Sequence, residues 1–143
     1  MQTFLPYPLF SSSASCLDDK RLGKQRVEAM QILNALLKGG GWQNHPAVKM
    51  WKGYEHALCN YGMAICNEWI DRGFKDTVLQ KIISIYEEFD LNIVPINDWF
   101  PWWLCDAEFH ASHQSNLVRK NPEHYRKWFP NVPDDLPYVW PVR

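Results

Sequence analysis

The sequence predicts an all-α single domain spanning residues 1–143. Three observations carry this reading. Apolar residues recur at spacings of 3, 4 and 7, as on one helix face. Gly, Pro and capping residues fall between the periodic stretches. The length of 143 residues, with 46% hydrophobic and 22% charged content, suffices for one core and excludes wholesale disorder.

Each element follows in order. Residues 1–10 read as extended, because Pro6 and Pro8 block a helix. Ser11-Ser12-Ser13 supplies N-cap candidates for a first helix from about Ser13 to Lys38. Its buried stripe is Leu22, Ala29, Leu33 and Leu36, and Gly39-Gly40-Gly41 ends it. A second, long central helix opens at His45-Pro46, with Pro at its first position, and runs to Arg72 before Gly73. Its 27 residues would span roughly 40 Å. Gly53 and Gly62 inside it weaken the helix or mark close helix–helix contact.

Asp76-Thr77 caps a third helix to about Phe89, with Val78, Ile82, Ile85 and Phe89 on its apolar face. Residues 90–105 form a Trp/Pro-rich loop. Asp106 caps a fourth helix to Asn121, and Pro122 opens a short fifth one through Phe129. An extended C-terminal tail from Pro130 wraps the surface. The first helix is expected to pack between the second and the fourth.

Composition narrows the function. Fifteen Lys+Arg against sixteen Asp+Glu give a net charge of -1. That counts against coating nucleic acid by bulk charge, and leaves room for a local basic patch. No stretch reaches the roughly 20 apolar residues of a membrane helix. Residues 1–10 lack the basic segment and apolar core of a secretory signal, so a cytoplasmic monomer without membrane contact is expected. The 15% aromatic content is high. Aromatics build cores and also stack on bases, and the core reading takes about four in five of them. Cys16, Cys59, Cys66 and Cys105 form no C-x-x-C pair and read as buried reduced thiols.

Chemistry concentrates in three places. Between residues 20 and 38, Lys20, Arg21, Lys24, Arg26 and Lys38 face one acid, Glu28, a local +4 in a chain of net -1. Arg21, Lys24 and Glu28 fall at i, i+3 and i+7 on one face, with Gln25 and Gln31 near its edges. The segment reads either as a solvated basic face with a Lys24–Glu28 pair or as a site. His45 starts a helix, where it can cap or meet an anion. In the third place, His110 and His113 lie at i, i+3, and His113, Asn116 and Lys120 continue one polar face. A metal site would need further ligands that no H-E-x-x-H or C-x-x-C supplies, so no metal and no cofactor is expected.

Together these segments resemble the pyrimidine-dimer DNA glycosylases of the phage endonuclease V type. Asp19-Lys20-Arg21-Leu22 precedes Glu28 at the distance the family places between such a segment and its catalytic Glu. His45 through Arg72-Gly73-Phe74 follows the family's layout of a His, a long helix and Arg-Gly-Phe. Ser112 to Lys120, followed by Pro122 and Tyr125, resembles its last long helix and aromatic tail.

The resemblance implies a base-excision glycosylase, with an abasic-site lyase step, acting on damaged or modified DNA or on a nucleotide. An amine attacks C1′ and forms an imine, and Glu28 assists proton transfer. An α-amine titrates about two units below a lysine, which favours it as nucleophile. The family uses the amine of an N-terminal Thr exposed by Met removal. This chain begins Met1-Gln2-Thr3, and Gln disfavours removal, so the Met1 amine serves, or Lys24, or no lyase step exists. Val27 stands where the family has an Arg before its Glu. The resemblance makes Glu28, Met1 and Lys24 the catalytic candidates. Arg21, Arg26, His45, His113, Asn116 and Lys120 are candidates for binding nucleic acid or phosphate. The alternative class is a non-enzymatic nucleotide or nucleic-acid binder with the same basic-aromatic cleft.

Overall fold

In the computed structural model, which describes residues 1–95 and 98–142, the chain is helical, with seven α-helices among the described residues. Helix α1 spans Phe10–Cys16 and α2 spans Asp19–Lys38. The expected single first helix is therefore two. Leu17 and Asp18 take extended backbone, and Tyr125 fixes the corner, its hydroxyl accepting the Asp18 N–H at 3.0 Å. The serines do not cap α1. Its N-cap is Leu9, and Ser13 Oγ instead bonds the Tyr7 backbone at 3.1 Å.

The expected long central helix is also broken. Helix α3 covers Pro46–Lys49 and α4 covers Glu55–Asp71. Between them Gly53 takes φ +86°, a left-handed conformation that no helix continues through. Gly62 does mark close helix contact: a Cβ there would sit 3.4 Å from the Ala29 Cβ of α2 and 2.8 Å from Ile82 Cδ1. Helix α5 runs Val78–Glu88, α6 Ala107–Lys120 and α7 Pro122–Tyr125. Asp106 caps α6 as expected, accepting the Glu108 N–H. The short last helix stops at Tyr125 rather than Phe129.

Helix α2 lies chiefly against α4 and α5, not between the long helix and α6. What joins α2 to α6 is the extended N-terminal strap. Phe4 N–H reaches Gln25 of α2 at 3.0 Å and Tyr61 of α4 at 3.1 Å. Leu5 is held from α6: its N–H donates to His113 Nδ1 at 2.9 Å, and its carbonyl accepts from His110 Nδ1 at 2.7 Å. An extended strand buried between helices has no ladder to satisfy its backbone, so side chains do it.

The core is aromatic at its centre. Trp51 and Trp103 are fully buried, edge to face with centroids 5.0 Å apart, and Tyr61 stacks on Trp51. Their polar atoms are met: Trp51 Nε1 donates to Thr3 Oγ1 at 3.1 Å and Trp103 Nε1 to the Met50 carbonyl at 2.9 Å. Each such indole contributes several kcal/mol, about 25 cal/mol per Å² buried. Most aromatics do build or pack on the core, but five of the eight tryptophans, Trp42, Trp99, Trp102, Trp128 and Trp140, stay exposed, so the core share is nearer two in three than the expected four in five. The cysteines are free as expected, but Cys105 is exposed while Cys16, Cys59 and Cys66 are buried. No described helix is long and apolar enough to cross a membrane.

Candidate active site

The face of α2 predicted to carry chemistry looks onto a cleft of about 240 Å³. Met1, Gln2 and Phe4 of the strap form one wall. Lys20, Arg21, Lys24, Gln25 and Glu28 of α2 form the other, and Lys120 closes it from the end of α6. The strap reaches this place because Leu5 is pinned to α6 and Thr3 to Trp51, which turns the amine end of the chain onto α2.

Glu28 is the acid of the cleft. Burial pushes its carboxyl above the ordinary value of 4.5, and four neighbours oppose that rise: the Met1 amine, Lys24, the Gln2 backbone N–H and the Gln25 amide. Gln25 Nε2 donates to Glu28 Oε2 at 2.7 Å. A carboxyl whose hold on its proton burial has strengthened suits proton transfer better than a fully solvated one. No ion pair within 4 Å links Lys24 to Glu28 among the described residues, so the simple surface pair is not what holds it.

The cations differ in role. Lys20, Lys24 and Lys120 are exposed at the cleft. Arg21 lines it while pairing with Asp18 at 3.3 Å, and Tyr125 bonds that same carboxylate. Asp18 is held below the usual carboxylate range: burial works against this, and the Tyr125 hydroxyl and Arg21 overcome it. His45, expected at the site, is not among the residues lining the cleft. It caps α3, its Nδ1 accepting the Ala47 N–H at 3.0 Å, with Trp42 and Trp140 edge-on at 6.1 and 6.2 Å. Burial, and after it the positive Met1 amine, depresses its imidazole. The chain start thus acts electrostatically on both Glu28 and His45.

Three further expected binding residues are elsewhere. Arg26 turns away from the cleft. It forms an ion pair with Asp76, whose side chain is 1% exposed, and lays its guanidinium over the Trp69 ring at 4.5 Å. His113 is buried, and burial takes its imidazole down to about 3. As a neutral acceptor for the Leu5 N–H it offers no phosphate a charge. Asn116 is buried too, donating to the Ser112 and Leu136 carbonyls and accepting from Arg119. The spacing in α6 correctly placed these groups on one face. That face looks at the strap and the C-terminal tail.

Gln25, Gln2 and Tyr61 were missed as participants. Gln25 stands three residues before Glu28 on the same face, a visible signal once Glu28 is suspected. Tyr61 gave none, because its partner Phe4 is 57 residues away.

The family described as pyrimidine dimer DNA glycosylase matches residues 1–81. That stretch holds every residue lining the cleft except Lys120. No curated protein and no solved structure matches the chain.

Proposed function

The chain belongs to the pyrimidine dimer DNA glycosylase family, and from that premise we propose that it excises the damaged base of a pyrimidine dimer and then opens the strand as an abasic-site lyase. The observation that carries this reading is the convergence of the Met1 amine, Glu28 and Lys24 on one cleft rimmed by Lys20, Arg21 and Lys120. Cations at the rim hold flanking phosphates, which positions the damaged nucleotide without reading its sequence.

In the proposed reaction the neutral Met1 amine attacks C1′ of the damaged nucleotide. The C1′–N bond breaks and the base leaves with its electron pair. Glu28 takes a proton from the C1′-bound nitrogen and delivers it to the ring oxygen O4′ as the C1′–O4′ bond breaks, which opens the sugar to a protonated imine on the amine nitrogen and returns Glu28 to its carboxylate form. Glu28 then takes a C2′ proton, and the 3′ phosphate departs by β-elimination. Amine and carboxylate must stand on one side of the sugar for both steps.

Borohydride reduction of the protein on an oligonucleotide with a site-specific thymine dimer tests this. The expected result is a covalent adduct whose mass maps to Met1, lost when the amine is acetylated. An adduct mapped to Lys24 would move the nucleophile there. Base release without an adduct would leave a glycosylase with no lyase step. DNA binding with no base release would leave a non-enzymatic binder.

A further inference from the structure

Gln25 is 1% exposed, and its carboxamide has every hydrogen-bonding position filled. Oε1 accepts the Phe4 N–H at 3.0 Å and faces the Tyr61 hydroxyl at 2.6 Å. Nε2 donates to the Gln2 carbonyl at 2.8 Å and to Glu28 Oε2 at 2.7 Å. Reversing the amide would set Nε2 against the Phe4 N–H, and Oε1 against both a carbonyl and a carboxylate. The partners therefore admit one orientation. Tyr61 is buried and tied in turn to Phe4, its hydroxyl lying 2.9 Å from the Phe4 carbonyl.

The four bonds run to two different things. Two of them, to Gln2 and Phe4, fix the strap on either side of Thr3. A third fixes the Glu28 carboxylate, and the fourth anchors the amide itself to α4. Gln2 is the residue bonded to Met1. We propose that Gln25 is a positioning residue, a carboxamide clamp that holds the amine-bearing strap and the Glu28 carboxylate at one separation and in one orientation.

The clamp has a chemical and a geometric part. An N–H aimed at Glu28 favours its ionised form, the form that accepts a proton. A fixed strap keeps the amine within reach of the same sugar, and a misplacement of about 1 Å between reacting groups costs on the order of 10²-fold in rate. Other buried polar side chains that hold the strap, such as His110 and His113 of α6, lack this link because they bond the backbone at Leu5 and not the acid.

The inference rests on the excision reading for its kinetic consequence, and on the clamp alone for its spectroscopic one. The test uses Gln25→Leu and Gln25→Glu in the full chain, with circular dichroism and thermal unfolding to check the fold. Single-turnover excision of a thymine dimer is followed across pH, and the Glu28 carboxyl is titrated by ¹³C NMR. Gln25→Leu should lose about 10²-fold in rate at unchanged DNA affinity, and the Glu28 titration should move up because a donor is gone. Gln25→Glu places a second carboxyl against Glu28. The pair then shares one proton, and the rate gains a new limb that falls as pH rises and the shared proton leaves.

Wild-type rates and an unmoved Glu28 titration in both variants would overturn the proposal. So would equal losses in both with the pH profile and the titration unchanged, since that marks packing alone. Should Gln25→Leu not fold, Tyr61→Phe loosens the clamp from its far side and should move the Glu28 titration in the same direction. A wild type that releases no base sinks the excision reading, and the titration of Glu28 in the Gln25 variants still decides the clamp.

Discussion

Replacing Glu28 by Gln separates chemistry from structure at the centre of the cleft. The side chain keeps its size and loses its charge and its capacity to take a proton. In the folded chain the carboxylate accepts from Gln25 Nε2 at 2.7 Å, and the Gln2 backbone N–H also favours its charged form. A Gln at position 28 has one acceptor oxygen and turns an amide nitrogen toward the second donor. One favourable contact is lost, costing about 1–2 kcal/mol. The wild type, however, holds a charge where burial disfavours it, and Gln removes that penalty. The two effects oppose, so net stability should change by no more than about 1 kcal/mol, a melting shift of about 4 °C.

The pH dependence has a definite sign. Glu28's folded carboxyl binds its proton more tightly than the unfolded chain's, whose ordinary value is 4.5. Its contribution to stability is fully present below that value and declines as pH rises through the higher folded value. Glu28→Gln removes this decline, so the variant should gain on the wild type in melting temperature as pH rises from about 4.5. Excision, by contrast, should fall at least about 10²-fold, which is about 2.7 kcal/mol of barrier. Single-turnover excision on a thymine-dimer duplex and calorimetry on the same preparation check both. Excision within tenfold of wild type would remove Glu28 from the mechanism. A large loss of melting temperature would refute the argument that its two structural terms oppose.

The remaining predictions concern the surroundings. Lys24→Ala and Lys120→Ala should each weaken duplex binding and lower the slope of log K against log salt by about 1, measured by fluorescence anisotropy; unchanged slopes would place the phosphates elsewhere. Asp76→Ala strips Arg26 of its carboxylate and the Leu79 N–H of an acceptor at 2.7 Å, and should cost about 3–5 kcal/mol in urea unfolding. His113 is neutral in the fold down to about 3. Stability should therefore fall by about 1.4 kcal/mol per pH unit as acid is added below its ordinary 6.5. His113→Gln, which keeps an acceptor for Leu5 and cannot titrate, should flatten that acid limb in melting curves.

The one-dimensional pattern was enough for the helical class, for the Asp106 cap and for the face of α2 that carries Arg21, Lys24 and Glu28, while at Gly62 it offered the close contact as one of two readings. The first three are local properties. A helix face or a cap follows from spacings of three, four and seven residues, which any sequence displays. Sequence also set out the polar face of α6, but not its partner. Whether His113 and Asn116 meet phosphate or backbone depends on what covers them. The cover is the strap and the tail, over a hundred residues away from His113 in one case.

Tertiary structure alone decided where the amine goes. The break at Leu17 and the pinning of Leu5 to α6 are long-range outcomes, fixed by Tyr125 and by the two histidines, whereas the turn at Gly53 is closed locally by the Tyr54 N–H on the Trp51 carbonyl. Arg26 shows the same division in one residue. Its place in a basic run promised nucleic acid, and folding gave it Asp76, 50 positions on, and the face of Trp69. Charge composition is a property of the chain. The partner each charge finds is a property of packing, because a buried ion keeps its charge only beside an opposite one.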